Sequence, residues 1–185
     1  MEIRKARETD IDNIVKIYER VHDGEEKGLT TTGWIRNVYP TRKTAEDALN
    51  RDDLFVMTDD GKITAVAVIN QIQVNEYKQV AWKHDVADPK VMVLHALAVD
   101  PLEKGRGVGR VFAAFYEDYA RRHNCSALRM DTNVTNSRAR KLYQSIGYEE
   151  IGVVSCVFNG IPALFKKICK RDFCDEVRGS VQKIL

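Results

Sequence analysis

An almost wholly apolar run, Val91 to Val99, constrains the fold of this 185-residue chain more than any other segment. Its apolar residues are continuous rather than alternating, which is typical of a strand that is covered on both faces. Asp100-Pro101 ends the strand, since proline cannot donate a hydrogen bond to a ladder. From Val108 to His123 the apolar residues recur at helical spacing. The segment therefore predicts a buried strand, a short loop and an amphipathic helix.

The loop between this strand and this helix consists of glycines that alternate with mostly basic residues. Glycine lets the backbone turn tightly and come close to a ligand, because it has no Cβ. The first N–H groups of the following helix lack intrahelical acceptors and carry the positive end of the helix dipole, which favours an anion. The loop therefore predicts a phosphate-bearing ligand, and a pyrophosphate in particular. The predicted binding residues are Lys104, Gly105, Arg106, Gly107, Val108, Gly109 and Arg110.

Other phosphate-binding motifs fit this loop less well. A Walker A pattern is absent from the sequence. The dinucleotide fingerprint G-x-G-x-x-G requires a small residue at its third glycine position, which is Arg110 when counted from Gly105 and Phe112 when counted from Gly107. Asp131 lies about twenty residues farther on, where a ribose-binding acid would be expected. A dinucleotide-binding oxidoreductase therefore stays open as an alternative.

Two motifs resemble one known family. Lys104-Gly-Arg-Gly-Val-Gly109 resembles the R/Q-x-x-G-x-G/A loop that binds the coenzyme A pyrophosphate in GNAT-type N-acetyltransferases. Asn-x-x-Ala-x-x-Leu-Tyr-x-x-x-Gly-Tyr, from Asn136 to Tyr148, resembles the second signature of that family, N-x-x-A-x-x-x-Y-x-x-x-G-F/Y. The resemblance implies a mixed α/β (α+β) acyltransferase fold with splayed central parallel strands over residues 2–168, and acetyl-CoA as co-substrate.

The resemblance also assigns residues to the donor site. It implies that the pantetheine arm inserts where the central strand and the strand 126–131 splay apart. The thioester would then lie beside the backbone of Leu97, Ala98 and Val99, and Asn136 would contact the coenzyme. Backbone N–H groups near Ala98 and Val99 would stabilise the oxyanion of the transfer step.

Periodicity and turn residues predict the remaining elements and two regions. We expect a domain over residues 1–168 and a helical C-terminal extension over residues 169–185. Apolar residues recur at helical spacing in that extension, at Phe173, Val177, Val181 and Ile184, and we expect this face to help form a homodimer. The other predicted elements are a strand over 2–7, a helix capped by Thr9, a polar turn over 22–28, helices over 31–38, 45–51 (capped by Thr44) and 137–146, a hairpin 54–58/62–70, and a hairpin 148–158/161–168 over Asn159-Gly160.

Acetyl transfer to an amine requires a base and an acid. An alkyl ammonium group is neutral in only about one molecule in a thousand at pH 7. His95 lies inside the apolar strand, and an ordinary histidine titrates near neutral pH, so we predict it as the catalytic base. Leu94-His-Ala-Leu-Ala-Val99 also resembles the Leu-His-Val-Leu-Ala-Val strand of arylalkylamine N-acetyltransferases. The family resemblance implies that Tyr143 is the acid that protonates the departing thiolate. A core histidine and a core tyrosine are the structural alternatives.

The sequence leaves the acceptor open between a small amine, an antibiotic, an amino acid and a protein or peptide N-terminus. Four aromatic residues fall in segments that could wall the acceptor side, and packing roles explain them equally well. These weak candidates are Trp34, Tyr39, Tyr77 and Trp82. We expect direct transfer in a ternary complex. A non-catalytic acyl-CoA-binding regulatory module is the alternative of a different class.

Composition excludes several other classes of function. A net charge of +2 is too small to predict nucleic-acid binding. No apolar stretch reaches about eighteen residues and no signal peptide is evident, so we expect a soluble cytoplasmic protein without membrane contact. The four cysteines form no C-x-x-C pair and no histidine lies at ligand spacing from them, so no metal site is predicted.

Overall fold

A computed structural model of the chain describes residues 1–82, 86–158 and 161–172, with side chains described up to residue 155. The strands are β1 Glu2–Lys5, β2 Leu54–Asp59, β3 Lys62–Asn70, β4 Val91–Val99, β5 Ala127–Asn133, β6 Glu149–Phe158 and β7 Ile161–Asp172. The helices are α1 Ile11–Glu26, α2 Arg42–Asn50, α3 Val108–Arg122 and α4 Ser137–Ser145. The strands form one mixed sheet in the order β1-β2-β3-β4-β5-β7-β6. Only β4 and β5 pair in parallel among these described strands.

Helices cover both faces of the sheet because each helix has one apolar face. On one face, Phe112 and Tyr116 of α3 pack with Met92 and Leu94 of β4. On the other face, α1 and α2 pack against β2 and β3 through a second cluster that includes Ile14. Strand β4 is buried from both sides over its first half, as its continuous apolar sequence predicts. None of the helices in the described ranges is long and apolar enough to cross a membrane.

The parallel pairing of β4 and β5 stops halfway along both strands. It runs from Val91 opposite Ala127 to Leu94 opposite Met130, although both strands continue beyond that point. Just after the last pair, Ala96 has a φ of +48° and the register between β4 and β3 shifts. An extra residue in one strand bends it away from its neighbour. The bulge therefore opens a gap between the carboxyl ends of β4 and β5, which is the predicted splay.

The end of β4 is tied to α1 and to the glycine loop. Asp100 is buried, and its carboxylate accepts hydrogen bonds at 2.9 and 2.6 Å from Arg20 of α1. The same carboxylate accepts the backbone N–H of Leu102 at 3.1 Å. Gly105 and Gly107 then have φ values of +88° and +74°, which residues with a side chain rarely adopt. Together these contacts fix where α3 begins.

The predicted helix over 31–38 is wrong. This segment contains an isolated bridge between Ile35 and Tyr39 and a left-handed Gly33. Gly33 and Asn37 have left-handed φ values of +71° and +61°, which an α-helix does not accommodate. The carboxylate of Glu25 accepts the backbone N–H groups of Thr32 and Gly33 and holds the segment in this loop conformation. The polar segment predicted as a turn instead continues α1 to Glu26.

Other boundaries differ by a few residues. A short 3-10 turn over Glu8–Asp10 precedes α1, and Thr41 rather than Thr44 caps α2. Strand β7 continues to Asp172, so residues 169–172 belong to the sheet rather than to the predicted extension. The C-terminal hairpin forms, but its predicted turn at Asn159-Gly160 lies outside the described residues. The predicted helix with Phe173, Val177, Val181 and Ile184 also lies outside them.

Candidate active site

Two adjoining cavities meet at the gap between β4 and β5. A groove of about 780 Å³ runs between the C-terminal part of α1, the glycine loop and α4. A smaller cavity of about 120 Å³ lies in the gap itself. The residues that line both are Thr32, Trp34, Leu97, Asn136, Ala139 and Tyr143. The two cavities therefore form one continuous site, with the predicted acid, Tyr143, at the junction.

The glycine loop presents backbone donors to the groove. The N–H groups of Arg110 and Val111 bond to the carbonyl of Gly107 at 2.9 and 3.1 Å. The N–H groups of Val108 and Gly109 precede them in the first turn, where α-helical geometry provides no acceptor. Gly107 lines the groove, and a Cβ added there would meet nothing within 4 Å, so the backbone is uncrowded at this point. This arrangement suits a pyrophosphate, because the donors and the helix dipole favour negative charge.

The structure changes the set of basic residues at the groove. Lys104 and Arg110 line it as predicted, but the Arg106 guanidinium pairs instead with Glu103 and with Asp59, at 2.7 Å from the Asp59 carboxylate. The hydrogen bond from Arg106 lowers the pKa of Asp59. Arg106 therefore anchors the loop to the β2–β3 turn rather than facing the groove.

Three basic residues at the groove escaped the sequence analysis, and one of them, Arg20, is paired with Asp100. Lys27 follows α1, and Arg138 lies in the first turn of α4. Arg138 falls inside the second signature, two residues after Asn136. Because both residues lie at the start of the same helix, the signature could have predicted that Arg138 lies near the coenzyme site. Basic residues thus line the groove from the C-terminal part of α1, the glycine loop, α3 and α4.

The structure shows which backbone N–H group at the end of β4 points to the gap, where the sequence left Ala98 and Val99 open. The N–H of Asp100 donates to the carbonyl of Thr64 on β3 at 2.9 Å, and Ala98 lies opposite Val66 two residues earlier. In an antiparallel ladder the hydrogen-bonded pairs alternate, so the N–H of Ala98 also points to β3. The N–H of Val99 points to the opposite edge, toward the gap. Val99, rather than Ala98, therefore directs its backbone N–H toward the gap.

Helix α4 holds Tyr143 and Asn136. Tyr143 is 6% exposed, and its ring centroid lies 5.9 Å from that of Tyr148. The Asn136 side chain caps α4 by accepting the N–H of Ala139 at 3.1 Å. A Cβ on Gly109 would lie 3.1 Å from a methyl group of Leu142, which shows that α3 and α4 pack closely at this glycine.

Besides Tyr39 and Tyr143, two titratable residues at the ends of the paired strands line the smaller cavity. His95 and Asp131 are the first residues of β4 and β5 after the last parallel pair, and both line the cavity. The Tyr77 hydroxyl donates to the Asp131 carboxylate at 3.1 Å. Burial, reinforced by the charge of Asp131, raises the pKa of Tyr39. The sequence analysis considered Asp131 only as a ribose-binding acid; its place at the end of the strand beside β4 was the missed signal.

The four aromatic candidates separate into two pairs. Trp34 and Tyr39 wall the smaller cavity, and their rings meet edge to face with centroids 6.1 Å apart. Tyr77 and Trp82 belong instead to a third packing cluster, with centroids 5.9 Å apart. The Trp82 ring there covers the guanidinium of Arg129 at 3.5 Å. Tyr77 contacts the site through its hydroxyl, which donates to Asp131.

Glu25 fixes the loop that carries Trp34. Its carboxylate accepts the hydroxyl of Thr30 at 2.8 Å, and the backbone N–H groups of Thr32 and Gly33 at 2.9 Å each. Burial acts to raise the pKa of Glu25, but these hydrogen bonds outweigh it and hold the pKa below its usual value. Glu25 is therefore a structural carboxylate that shapes one wall of both cavities.

Sequence comparison shows which family has this arrangement. Residues 16–148, well over half of the chain, match the sequence model of the acetyltransferase (GNAT) family. The chain belongs to the GNAT family. An uncharacterised N-acetyltransferase of Methanocaldococcus jannaschii is 23% identical over 153 residues, which cover 82% of this GNAT chain. The chain spans 62% of the length of that relative.

Solved structures share the GNAT fold of this chain. A GNAT acetyltransferase from Streptococcus agalactiae has a TM-score of 0.76 at 22% identity, with 92% of this chain and 94% of that chain covered. A Salmonella typhimurium protein solved with acetyl-CoA has a TM-score of 0.67 at 17% identity, with 94% of both chains covered. At these identities the likeness establishes the fold.

Proposed function

We propose that this GNAT member is an acetyl-CoA-dependent N-acetyltransferase that acetylates a primary amine by direct transfer in a ternary complex. One observation carries the proposal: the groove with phosphate-binding features opens into a small polar cavity, and Tyr143 lies where they meet. Among the described residues, neither cysteine nor serine lines either cavity. Direct attack by the amine fits this arrangement better than an acyl-enzyme on a thiol or serine hydroxyl.

Acetyl-CoA supplies the activated acetyl thioester. The N–H groups at the start of α3 are suited to its pyrophosphate, and Lys27, Lys104, Arg110 and Arg138 supply positive charge along the groove. Asn136 and the backbone from Leu97 to Val99 line the continuation of the groove into the gap.

The remaining residues account for the protons of the reaction. A base in the smaller cavity, for which we favour His95, takes one proton from the ammonium group of the acceptor. The amine nitrogen then attacks the thioester carbon, and the N–H of Val99 stabilises the oxyanion. As the C–S bond breaks, Tyr143 protonates the thiolate. The nitrogen loses its second proton, which replaces the one given by Tyr143. The products are the amide, free coenzyme A and one released proton.

The function is tested by thiol release from acetyl-CoA over a panel of small amines and peptides. We expect release of free coenzyme A with at least one amine, and the acetylated amine in equal amount by mass spectrometry. Coenzyme A binding by calorimetry with no release over the whole panel would instead favour the regulatory module. Binding of a reduced dinucleotide in place of coenzyme A would favour the oxidoreductase.

The charge of the smaller cavity restricts the class of acceptor amine that we expect it to bind. Asp131 is the one acid that lines it, and lysine and arginine are absent among its described lining residues. A carboxylate beside the reacting amine would meet repulsion without a cationic partner. We therefore expect tyramine and alaninamide to exceed tyrosine and alanine in kcat/KM by roughly tenfold or more. Asp131→Asn should reduce this preference, and equal rates for the amines and the amino acids would contradict it.

The role of His95 predicts a pH-dependent loss. His95→Ala should lower kcat/KM more near pH 7 than near pH 9, since more of the amine is already neutral at the higher pH. His123→Ala is the matched control, because that exposed ring stacks on Tyr119 away from both cavities. Equal losses at both pH values would assign His95 a structural role. If Asp131→Asn shows this pH-dependent loss and His95→Ala does not, the carboxylate of Asp131 removes the proton.

A further inference from the structure

A chain of polar side chains runs across the sheet and ends on His95. Arg51 donates to the buried carboxylate of Asp53 at 2.9 Å, and the Nδ2 of Asn70 donates to the same carboxylate at 2.8 Å. The Nε2 of His95 lies 3.2 Å from the Oδ1 of Asn70 and 3.0 Å from the carbonyl oxygen of Ile72. None of these contacts belongs to the wall of the groove.

The orientation of the Asn70 amide follows from its other two partners. The backbone N–H of Ile72 lies 2.9 Å from one end of the amide and can only donate, so that end is the oxygen. The carboxylate of Asp53 lies at the other end and in its ionised form can only accept, so that end is the NH₂ group. The two assignments agree, and the amide oxygen therefore faces His95.

The tautomer of His95 follows from the same contacts. Its Nε2 faces two oxygen atoms, the Oδ1 of Asn70 and the carbonyl of Ile72, and both are acceptors. A lone pair on Nε2 would repel both oxygens, whereas an N–H satisfies them. In the neutral ring the lone pair is then on Nδ1.

We propose that Asn70 is a positioning residue that holds His95 in the Nε2–H tautomer, so that Nδ1 is the atom that takes the proton of the acceptor ammonium. This inference rests on the proposed function. The N–H bond of the ammonium breaks as the Nδ1–H bond forms, directly or through one water, and the positive charge moves to the imidazolium. The Nε2–H group keeps its two acceptors throughout, and their partial negative charge stabilises the imidazolium.

The experiment combines spectroscopy with kinetics. In protein with ¹⁵N-labelled histidine at alkaline pH, long-range ¹H–¹⁵N correlations distinguish the ring nitrogen that carries hydrogen from the one that carries the lone pair. His95→Gln identifies the signals. We expect a single Nε2–H pattern for His95 in the full chain. Asn70→Ala removes one acceptor of Nε2–H and also the side chain that accepts the N–H of Ile72, whose carbonyl is the other acceptor, so we expect a mixture of tautomers in this variant. The kcat/KM of Asn70→Ala should fall roughly tenfold, as expected for the loss of one charge-assisted hydrogen bond, and the acid limb of its pH profile should move to lower pH.

Gln71→Ala is the matched control. It removes the neighbouring carboxamide, which donates to the carbonyl of Pro89 rather than to His95. Melting temperature and coenzyme A affinity of both variants separate a folding defect from a change at His95. An Nδ1–H pattern in the unaltered chain would overturn the proposal, as would a pH profile unchanged by Asn70→Ala. Failure of the unaltered chain to release thiol with any amine would instead contradict the proposed function, while the tautomer is measured without turnover.

Discussion

Tyr143→Phe is expected to lower kcat by roughly a hundredfold or more while the affinity for coenzyme A changes little. The substitution removes one hydroxyl and keeps the ring, which is buried at the junction of the two cavities. The packing of α4 should therefore survive, whereas the thiolate would have to leave without its proton donor. Steady-state kinetics with the best amine of the panel, together with calorimetry on coenzyme A, measure the two quantities separately.

Tyr148→Phe is the matched control for this result. Tyr148 is equally buried, and its ring lies 5.9 Å from that of Tyr143, but it lies outside both cavity walls. Loss of its hydroxyl should leave kcat nearly unchanged. A hundredfold fall in both variants would show that packing of the aromatic pair, rather than proton transfer, limits the rate. A nearly unchanged kcat for Tyr143→Phe would exclude it as the acid.

Gly107→Val is expected to weaken coenzyme A binding by at least about tenfold, equivalent to one lost charge-assisted hydrogen bond. Gly107 lines the groove and a Cβ there would enter open space, so we expect the valine side chain to keep the pyrophosphate away from the N–H donors of α3. The left-handed φ of +74° adds a cost to folding of roughly 1–2 kcal/mol for a residue with a side chain. Calorimetry and thermal melting report the two effects independently.

Gly61→Val separates these two effects, because Gly61 has almost the same backbone conformation. Its φ is +76°, and a Cβ there would likewise meet nothing within 4 Å, but it lies in the β2–β3 turn. Both variants should lose similar stability, and only Gly107→Val should lose affinity. Equal coenzyme A affinity in the two would refute the predicted role of the loop. Gly109→Val is a poorer test than the sequence suggests, since its side chain would press on Leu142 and disturb α4.

Gly107 belongs to a loop that the sequence predicts, whereas the role proposed for Asn70 depends on contacts in the folded chain. Three features could be predicted from local patterns: the doubly covered strand β4, the glycine loop at the start of α3, and the helix that carries Tyr143. Each rests on residues a few positions apart, where periodicity, turn preferences and motif spacing act directly. The same patterns indicated the GNAT family before any contact was known.

The tertiary structure decided which side chains the site uses. Arg106 lies within the glycine motif, but its guanidinium pairs with Asp59, which is distant in sequence, and does not line the groove. Glu25 accepts the backbone N–H groups of Thr32 and Gly33 and so holds a loop where a helix over 31–38 was predicted. The bulge at Ala96 depends on the pairing of β4 with β3. This bulge opens the gap that His95 and Asp131 both line. Such contacts join residues that are far apart in the chain. Patterns of neighbouring residues therefore cannot predict which donors and charged groups these contacts occupy.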